Sequence, residues 1–118
     1  KTDLIALLEA TATQNLDKIK LEIDDKAAAT VMLVSGGYPE AYEKGNAISG
    51  LNTVSDSIVF HAGTIRDQDH VVTNGGRVIA ITSVDVNYKE ALKKSYKNIE
   101  KIHFNTMNFR TDIGFDLP

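Results

Sequence analysis

The stretch Val72-Thr73-Asn74-Gly75-Gly76-Arg77-Val78 sets a guanidinium directly after two residues that lack side chains. Glycines let backbone N–H groups come close to an anion and tolerate positive φ. Arginine adds a planar fork of donors that suits phosphate or carboxylate. The chemistry these types imply is capture of an anion, with no bond made or broken. A second reading of Arg77 is a surface arginine flanking a hairpin turn. His61 lies in an apolar stretch just before Ala62-Gly63. It reads either as an imidazole satisfied by backbone at the rim of the core, or as a donor at a pocket edge. The second role would respond to pH, because a free imidazole titrates near about 6.5. Arg110, two residues before Asp112, reads as half of a local ion pair or as a packing residue of the tail.

Other chemistries lack their residues. The chain has no Gly-x-x-x-x-Gly-Lys loop, no Gly-x-Gly-x-x-Gly turn, no His-Glu-x-x-His and no Gly-x-Ser-x-Gly elbow. The three histidines, His61, His70 and His103, show no ligand spacing, and zinc usually takes three or four ligands. No metal site is expected. Asp24-Asp25 reads as a solvated turn, where Asp is common. Cysteine is absent, which excludes a disulfide framework and a thiol nucleophile. A net charge of −3 favours neither nucleic acid nor an anionic membrane. No apolar run approaches a membrane span. Neither partner is expected, and the composition fits a cytoplasmic protein. At 118 residues with 42% apolar and 25% charged, the chain suits one ordinary globular domain with a single core.

The elements that must position these residues follow from periodicity. Residues 3 to about 16 read as an amphipathic helix with Leu4, Leu7, Leu8, Thr11, Ala12 and Leu16 on one stripe, capped by Thr2 or Asp3. Residues 17–26 read as a connector. Ala28 to Val34 is a short apolar run, read as a strand buried on both faces. Gly36-Gly37-Tyr38-Pro39 stops it, and Glu40 to Lys44 suggests one helical turn ended by Gly45. Ile58 to His61, His70 to Thr73 and Val78 to Thr82 read as three strands. The turns at 66–69 and at Asn74-Gly75-Gly76 would join them into an antiparallel meander. Asn87 with Glu90 matches a capping box. It starts a helix to about residue 102, with Tyr88, Ala91, Leu92, Ser95, Tyr96, Ile99 and Ile102 on the buried stripe. Lys89, Lys93, Lys97 and Lys101 fall on another face, read as solvated or as a dock for something acidic. The fold class expected is α+β: a small, mostly antiparallel, barrel-like meander covered by a long C-terminal helix and preceded by an N-terminal helix.

Five blocks stand in one order: Gly37-Tyr38-Pro39, Tyr42-Glu43-Lys44-Gly45, Phe60-His61-Ala62-Gly63-Thr64, Thr73-Asn74-Gly75-Gly76-Arg77-Val78 and Asp112-Ile113-Gly114. In that order and at those spacings the chain resembles the C-terminal part of the phosphoribosylamine–glycine ligase (glycinamide ribonucleotide synthetase) family. Three places depart from the family's pattern: Lys26 where arginine is common, Ser83-Val84-Asp85 after the last strand, and the tail Phe115-Asp116-Leu117-Pro118. They bear on local contacts and on tail docking.

The resemblance implies that residues 1–26 are the end of an ATP-grasp region and residues 27–118 the C-terminal domain. Absence of a starting methionine also suggests a fragment. The implied parent enzyme phosphorylates the glycine carboxylate with ATP, and the amine of 5-phosphoribosylamine attacks the acyl phosphate. ATP and magnesium would be bound by the missing ATP-grasp and N-terminal domains, so this fragment is expected to hold no cofactor, no catalytic residue and no activity alone. Its expected role is to close one side of the active site. Asn74, Gly75, Gly76 and Arg77 would contact the ribose phosphate of the small-molecule substrate, phosphoribosylamine, with His61 and Gly63 along the pocket edge. The alternatives are a free-standing small-anion binding module and a structural packing domain.

Overall fold

A computed structural model describes residues 1–118. The first helix, α1 (Leu4–Ala12), starts where the Asp3 carboxylate accepts a hydrogen bond from the Ala6 amide at 3.0 Å. It ends earlier than its apolar pattern suggests. Gln14 turns left-handed at φ 56°, and the Thr13 hydroxyl donates to the Glu9 carbonyl at 2.9 Å. The stripe read from the sequence covers no core, since only Ala10 of α1 is buried and Leu4, Ile5 and Leu8 are exposed.

Strand β1 (Ala27–Val34) pairs with one edge of the last and longest strand, β5 (Arg77–Asp85). Strand β2 (Ile58–His61) takes the other edge, giving an antiparallel sheet ordered β1-β5-β2. β3 (Thr64–Asp67) and β4 (His70–Thr73) form a separate hairpin. The α+β class holds, but the pairing is not a simple meander. Arg66 and Asp67 belong to β3, and the hairpin turns at Gln68-Asp69, with Gln68 at φ 51°. Asn74-Gly75-Gly76 closes no hairpin and instead carries the chain from the small sheet to β5. β4 cannot add to β5 because both edges of β5 are taken. The free edge of β4 is met by residues 45–48, with Gly45 donating to the Thr73 carbonyl at 2.7 Å. The helical turn expected over residues 40–44 does not form: the chain bends at Glu40 and Ala41 and runs without regular structure into that edge contact.

Helix α2 (Tyr88–Ile99) covers one face of the large sheet. Its cap is the one read from the sequence: the Asn87 side chain accepts from the Glu90 amide at 2.9 Å. Ala91, Leu92 and Ile99 pack on Ala29, Val31, Leu33, Ile79 and Ile81, and Ile102 and Phe104 close the core. β1 is therefore buried on one face only. Ala29, Val31 and Leu33 point inward, while Ala28 and Thr30 are exposed, because no layer covers the second face. A bulge opposite Leu33 and Val34 sends both Val78 and Ile79 into the core.

A polar chain crosses the core between α2 and the sheet. Ser83 and Ser95 are fully buried and their hydroxyls lie 2.8 Å apart. Ser57 joins Ser83 at 2.7 Å. The buried Asn98 amide donates to Ser57 Oγ at 2.7 Å and to the Ser55 carbonyl at 2.8 Å, and accepts from the Ser55 amide. The stripe reading missed Asn98 because a polar residue does not register in an apolar period. Truncating it removes these bonds at the edge of the core, where Ser57 is half-buried and Ser55 exposed, and a lost partner of this kind costs about 1–3 kcal/mol. Asn98→Ala should lower unfolding stability by about 2 kcal/mol or more in urea titration; a loss within error of zero would show that the chain of hydroxyls is idle.

Candidate functional site

The corner at residues 74–77 is built by close backbone contact. Asn74 N–H donates to the Gly63 carbonyl and Gly63 N–H to the Arg77 carbonyl, each at 2.8 Å. Buried Ser35 ties down the inner side, its amide donating to the Gly76 carbonyl at 2.8 Å and its hydroxyl to the Gly75 carbonyl at 3.0 Å. A Cβ on Gly63 would lie 2.7 Å from Gly75 Cα and 2.9 Å from Gly75 N. A Cβ on Gly76 would overlap the Tyr38 ring. Neither Gly75 nor Gly76 has positive φ. The glycines serve close approach here, and the left-handed turn that their types allowed is not used.

The amide N–H groups of Gly75 and Gly76 have no acceptor in the chain, but Gly76 is buried against the Tyr38 ring and Gly75 is half-buried. Asn74 and Arg77 are exposed. Arg77 joins no ion pair and no side-chain hydrogen bond. It opens on a cleft of about 340 Å³ shared with Met32, Val34, Tyr38, Asn108 and Arg110.

Arg110 was placed by sequence in a local ion pair or in tail packing, and it does both. Its Nε donates to Asp112 Oδ1 at 2.8 Å and its Nη2 to Oδ2 at 2.9 Å. Its carbonyl accepts from the Tyr96 hydroxyl of α2 at 2.9 Å. Missing from the sequence reading was its place on the same cleft as Arg77, together with Tyr38 and Asn108. No local pattern marks that convergence, since it depends on Val34 pairing with Arg77 and bridging Asn108.

His61 is exposed, with Nδ1 3.0 Å from Thr64 Oγ1. Its pairing with Ile79 sets it toward the α2 side, whereas Arg77, paired with Val34, faces the other side. The structure brings Gly63 to the corner but does not bring His61 into the arginine cleft. A second cleft, along α2, holds Lys93, Lys94, Lys97 and Lys101 with Asp56, Asp85 and Glu90. Lys94 pairs with Asp85 at 2.7 Å and Lys101 donates to Asn98 Oδ1 at 2.8 Å. Acids and lysines interleave there, so the face is not a bare cationic stripe. No group of three or more His, Cys, Asp or Glu side chains could hold a metal. No helix is long and apolar enough to cross a membrane.

Fold and cleft together define a class: a small α+β domain that offers amide and guanidinium donors beside an uncovered sheet face. Residues 28–116 match the family described as phosphoribosylglycinamide synthetase, C domain, and the chain belongs to that family. It is 44% identical over 114 residues to a phosphoribosylamine–glycine ligase of Caldanaerobacter subterraneus, covering 97% of this chain and 27% of that protein. It is 42% identical over 118 residues to the bifunctional purine biosynthetic protein purD of Dictyostelium discoideum, covering 97% of this chain and 14% of the relative. The crystal structure of phosphoribosylamine–glycine ligase from Thermotoga maritima superposes with a TM-score of 0.72 at 31% identity, over 89% of this chain and 27% of that one. The chain thus spans about a quarter of the ligases it matches, and in each the matched stretch is one part of a longer protein.

The bidentate bond from Arg110 holds the Asp112 carboxyl below the ordinary aspartate value and raises the guanidinium in turn. A depressed carboxyl contributes stability that is complete above its unfolded pKa and is lost as pH falls through the folded one. Carbon NMR of the Asp112 carboxyl should therefore give a midpoint below about 3.9, the free aspartate value. In Arg110→Gln the midpoint should return to that value. An ordinary midpoint in the unaltered chain would show that the pair does not persist in solution.

Proposed function

We propose that this chain is the C-terminal domain of an ATP-dependent ligase that joins glycine to 5-phosphoribosylamine, giving glycinamide ribonucleotide for purine biosynthesis. Membership of the family supports the assignment, and the donors of the 74–77 corner support the role. The domain closes one side of the active site. Asn74, Gly75, Gly76 and Arg77 hold the ribose phosphate, and Gly63 forms the adjoining edge. His61, on the far side of the sheet from Arg77, is assigned no contact with the phosphate.

ATP and magnesium belong to the remainder of the longer chain. No chemical step is assigned to this domain, whose role is to close the site. Residues 1–26 are read as the end of the ATP-grasp region and 27–118 as the domain proper. The open stripe of α1 supports that division, because Leu4, Ile5 and Leu8 find no core in this chain. The partner is the rest of the same polypeptide, in the cytoplasm. Family membership speaks against a free-standing anion module or a purely structural domain.

The observation that carries the substrate contact is the unpaired Arg77 guanidinium beside two amides without acceptors. A charge-assisted, two-pronged contact with phosphate is worth roughly 1.5–3 kcal/mol. Arg77→Ala in the full-length ligase should raise the KM for phosphoribosylamine by about tenfold to a hundredfold. An unchanged KM would remove Arg77 from the site. The 118 residues alone should release no ADP from ATP with glycine present, and measurable turnover would overturn the division of labour.

A further inference from the structure

We propose that Asn74 is a site of spontaneous deamidation, and that the carboxylate formed there weakens the anion contact of the corner. The second half of this inference rests on the substrate contact assigned above; the first half does not. The chain has eight asparagines, and Asn74 is the one followed by glycine. In such a pair the glycine nitrogen attacks the carbonyl carbon of the asparagine side chain, and no side chain on the second residue obstructs the approach. Packing keeps that vulnerable pair in place. A Cβ on Gly75 would lie 2.9 Å from Gly63 Cα, so the corner favours glycine after Asn74.

The hydrogen bonds of the corner leave the reacting atoms free. They engage the Asn74 N–H and, through Ser35, the carbonyls of Gly75 and Gly76. The Asn74 carbonyl, the Gly75 N–H and the Asn74 side-chain amide make no hydrogen bond within the chain. The peptide plane between the two residues is therefore not pinned, while its neighbours are. Asn74 is exposed, so water reaches the ring that forms, and the half-buried Gly75 nitrogen needs no outside reagent. A bond forms from Gly75 N to Asn74 Cγ, the Cγ–Nδ2 bond breaks, and ammonia leaves with the proton from Gly75 N. Water then opens the cyclic imide at either carbonyl. Opening at Cγ leaves aspartate in the normal main chain. Opening at the main-chain carbonyl carbon leaves isoaspartate, which lengthens the backbone. Nothing is oxidised or reduced: a water is consumed and an ammonia released. Either product replaces an amide that can donate with a carboxylate that only accepts, three residues before Arg77. A negative charge there opposes an incoming anion.

The test incubates the folded 118-residue chain in warm neutral buffer and maps deamidated and isoaspartyl peptides by mass spectrometry. Asn74 should convert while the other asparagines stay intact, at a rate less than about a hundredfold below that of the urea-unfolded chain. Asn74→Gln, whose longer side chain cannot close the five-membered ring, should remove the product. In the full-length ligase, Asn74→Asp should raise the KM for phosphoribosylamine several-fold or more and change kcat little. Protection of Asn74 by more than about a hundredfold would mean that it reacts only through unfolding; that result would overturn the inference and leave the Arg77 contact standing. An ordinary KM in Asn74→Asp beside a raised KM in Arg77→Ala would overturn the effect on the anion contact. Ordinary KM values in both variants would sink the reading beneath it, whatever becomes of Asn74 on standing.

Discussion

Strand β5 is hydrogen-bonded along both edges, and the rest of the domain takes its position from that constraint. β1 and β2 occupy the two edges, so β4 must find another partner and the hairpin is set apart. Val78, Ile79 and Ile81 are fully buried beneath α2; full burial of such side chains is worth about 1.5–3 kcal/mol each. The bulge at the start of β5 has a further effect. By turning Val78 and Ile79 to the same side, it lets Arg77 emerge on the opposite face without disturbing the core. The outward direction of that guanidinium is thus a consequence of the strand's packing.

The corner before β5 obeys a different constraint, that of space. Gly63 and Gly75 touch through their backbones, and the Tyr38 ring lies over Gly76. Ser35, at the end of β1, holds the two corner carbonyls. Three segments distant in sequence therefore set one short turn. A side chain at Gly63 or Gly75 would force them apart, and overpacking of this sort typically costs about 1–3 kcal/mol.

Signals that depend on near neighbours were legible in the sequence. The Asn87 cap and the stripe through Ala91, Leu92, Ser95 and Ile99 located α2. The apolar run located β1, and the glycine pair located the corner. Signals that depend on pairing were not. Asn74-Gly75-Gly76 has the residues of a hairpin turn, and only the occupied edges of β5 prevent it from being one. The run through Val31, Met32, Leu33 and Val34 looks doubly buried, yet a layer on its second face is a property of neighbours and not of the run. Arg110 looks like a local ion pair because it is one. Its place across from Arg77 emerges only when Val34 is seen to join both segments. α1 was overextended because its apolar period continues to Leu16, whereas the backbone leaves the helix at Gln14.

The uncovered sheet face and the arginine cleft are continuous, and the combination has a physical logic. Met32, Ala80 and Phe60 lie in register across β1, β5 and β2, and Ile58 follows one pair on, opposite Thr82. Ile58 and Phe60 keep about half of their surface open. Apolar surface of this kind gains from being covered, at about 25 cal/mol per Å², and the reading proposed here covers it with the remainder of the ligase. Covering it would also remove water from one side of the cleft. The attraction between a guanidinium and a phosphate grows as the local dielectric falls. Under the proposed reading, the contact of Arg77 with a phosphate, weak on the open domain, would then strengthen once the face is closed. On that account the domain does not need a deep pocket of its own, because docking completes it.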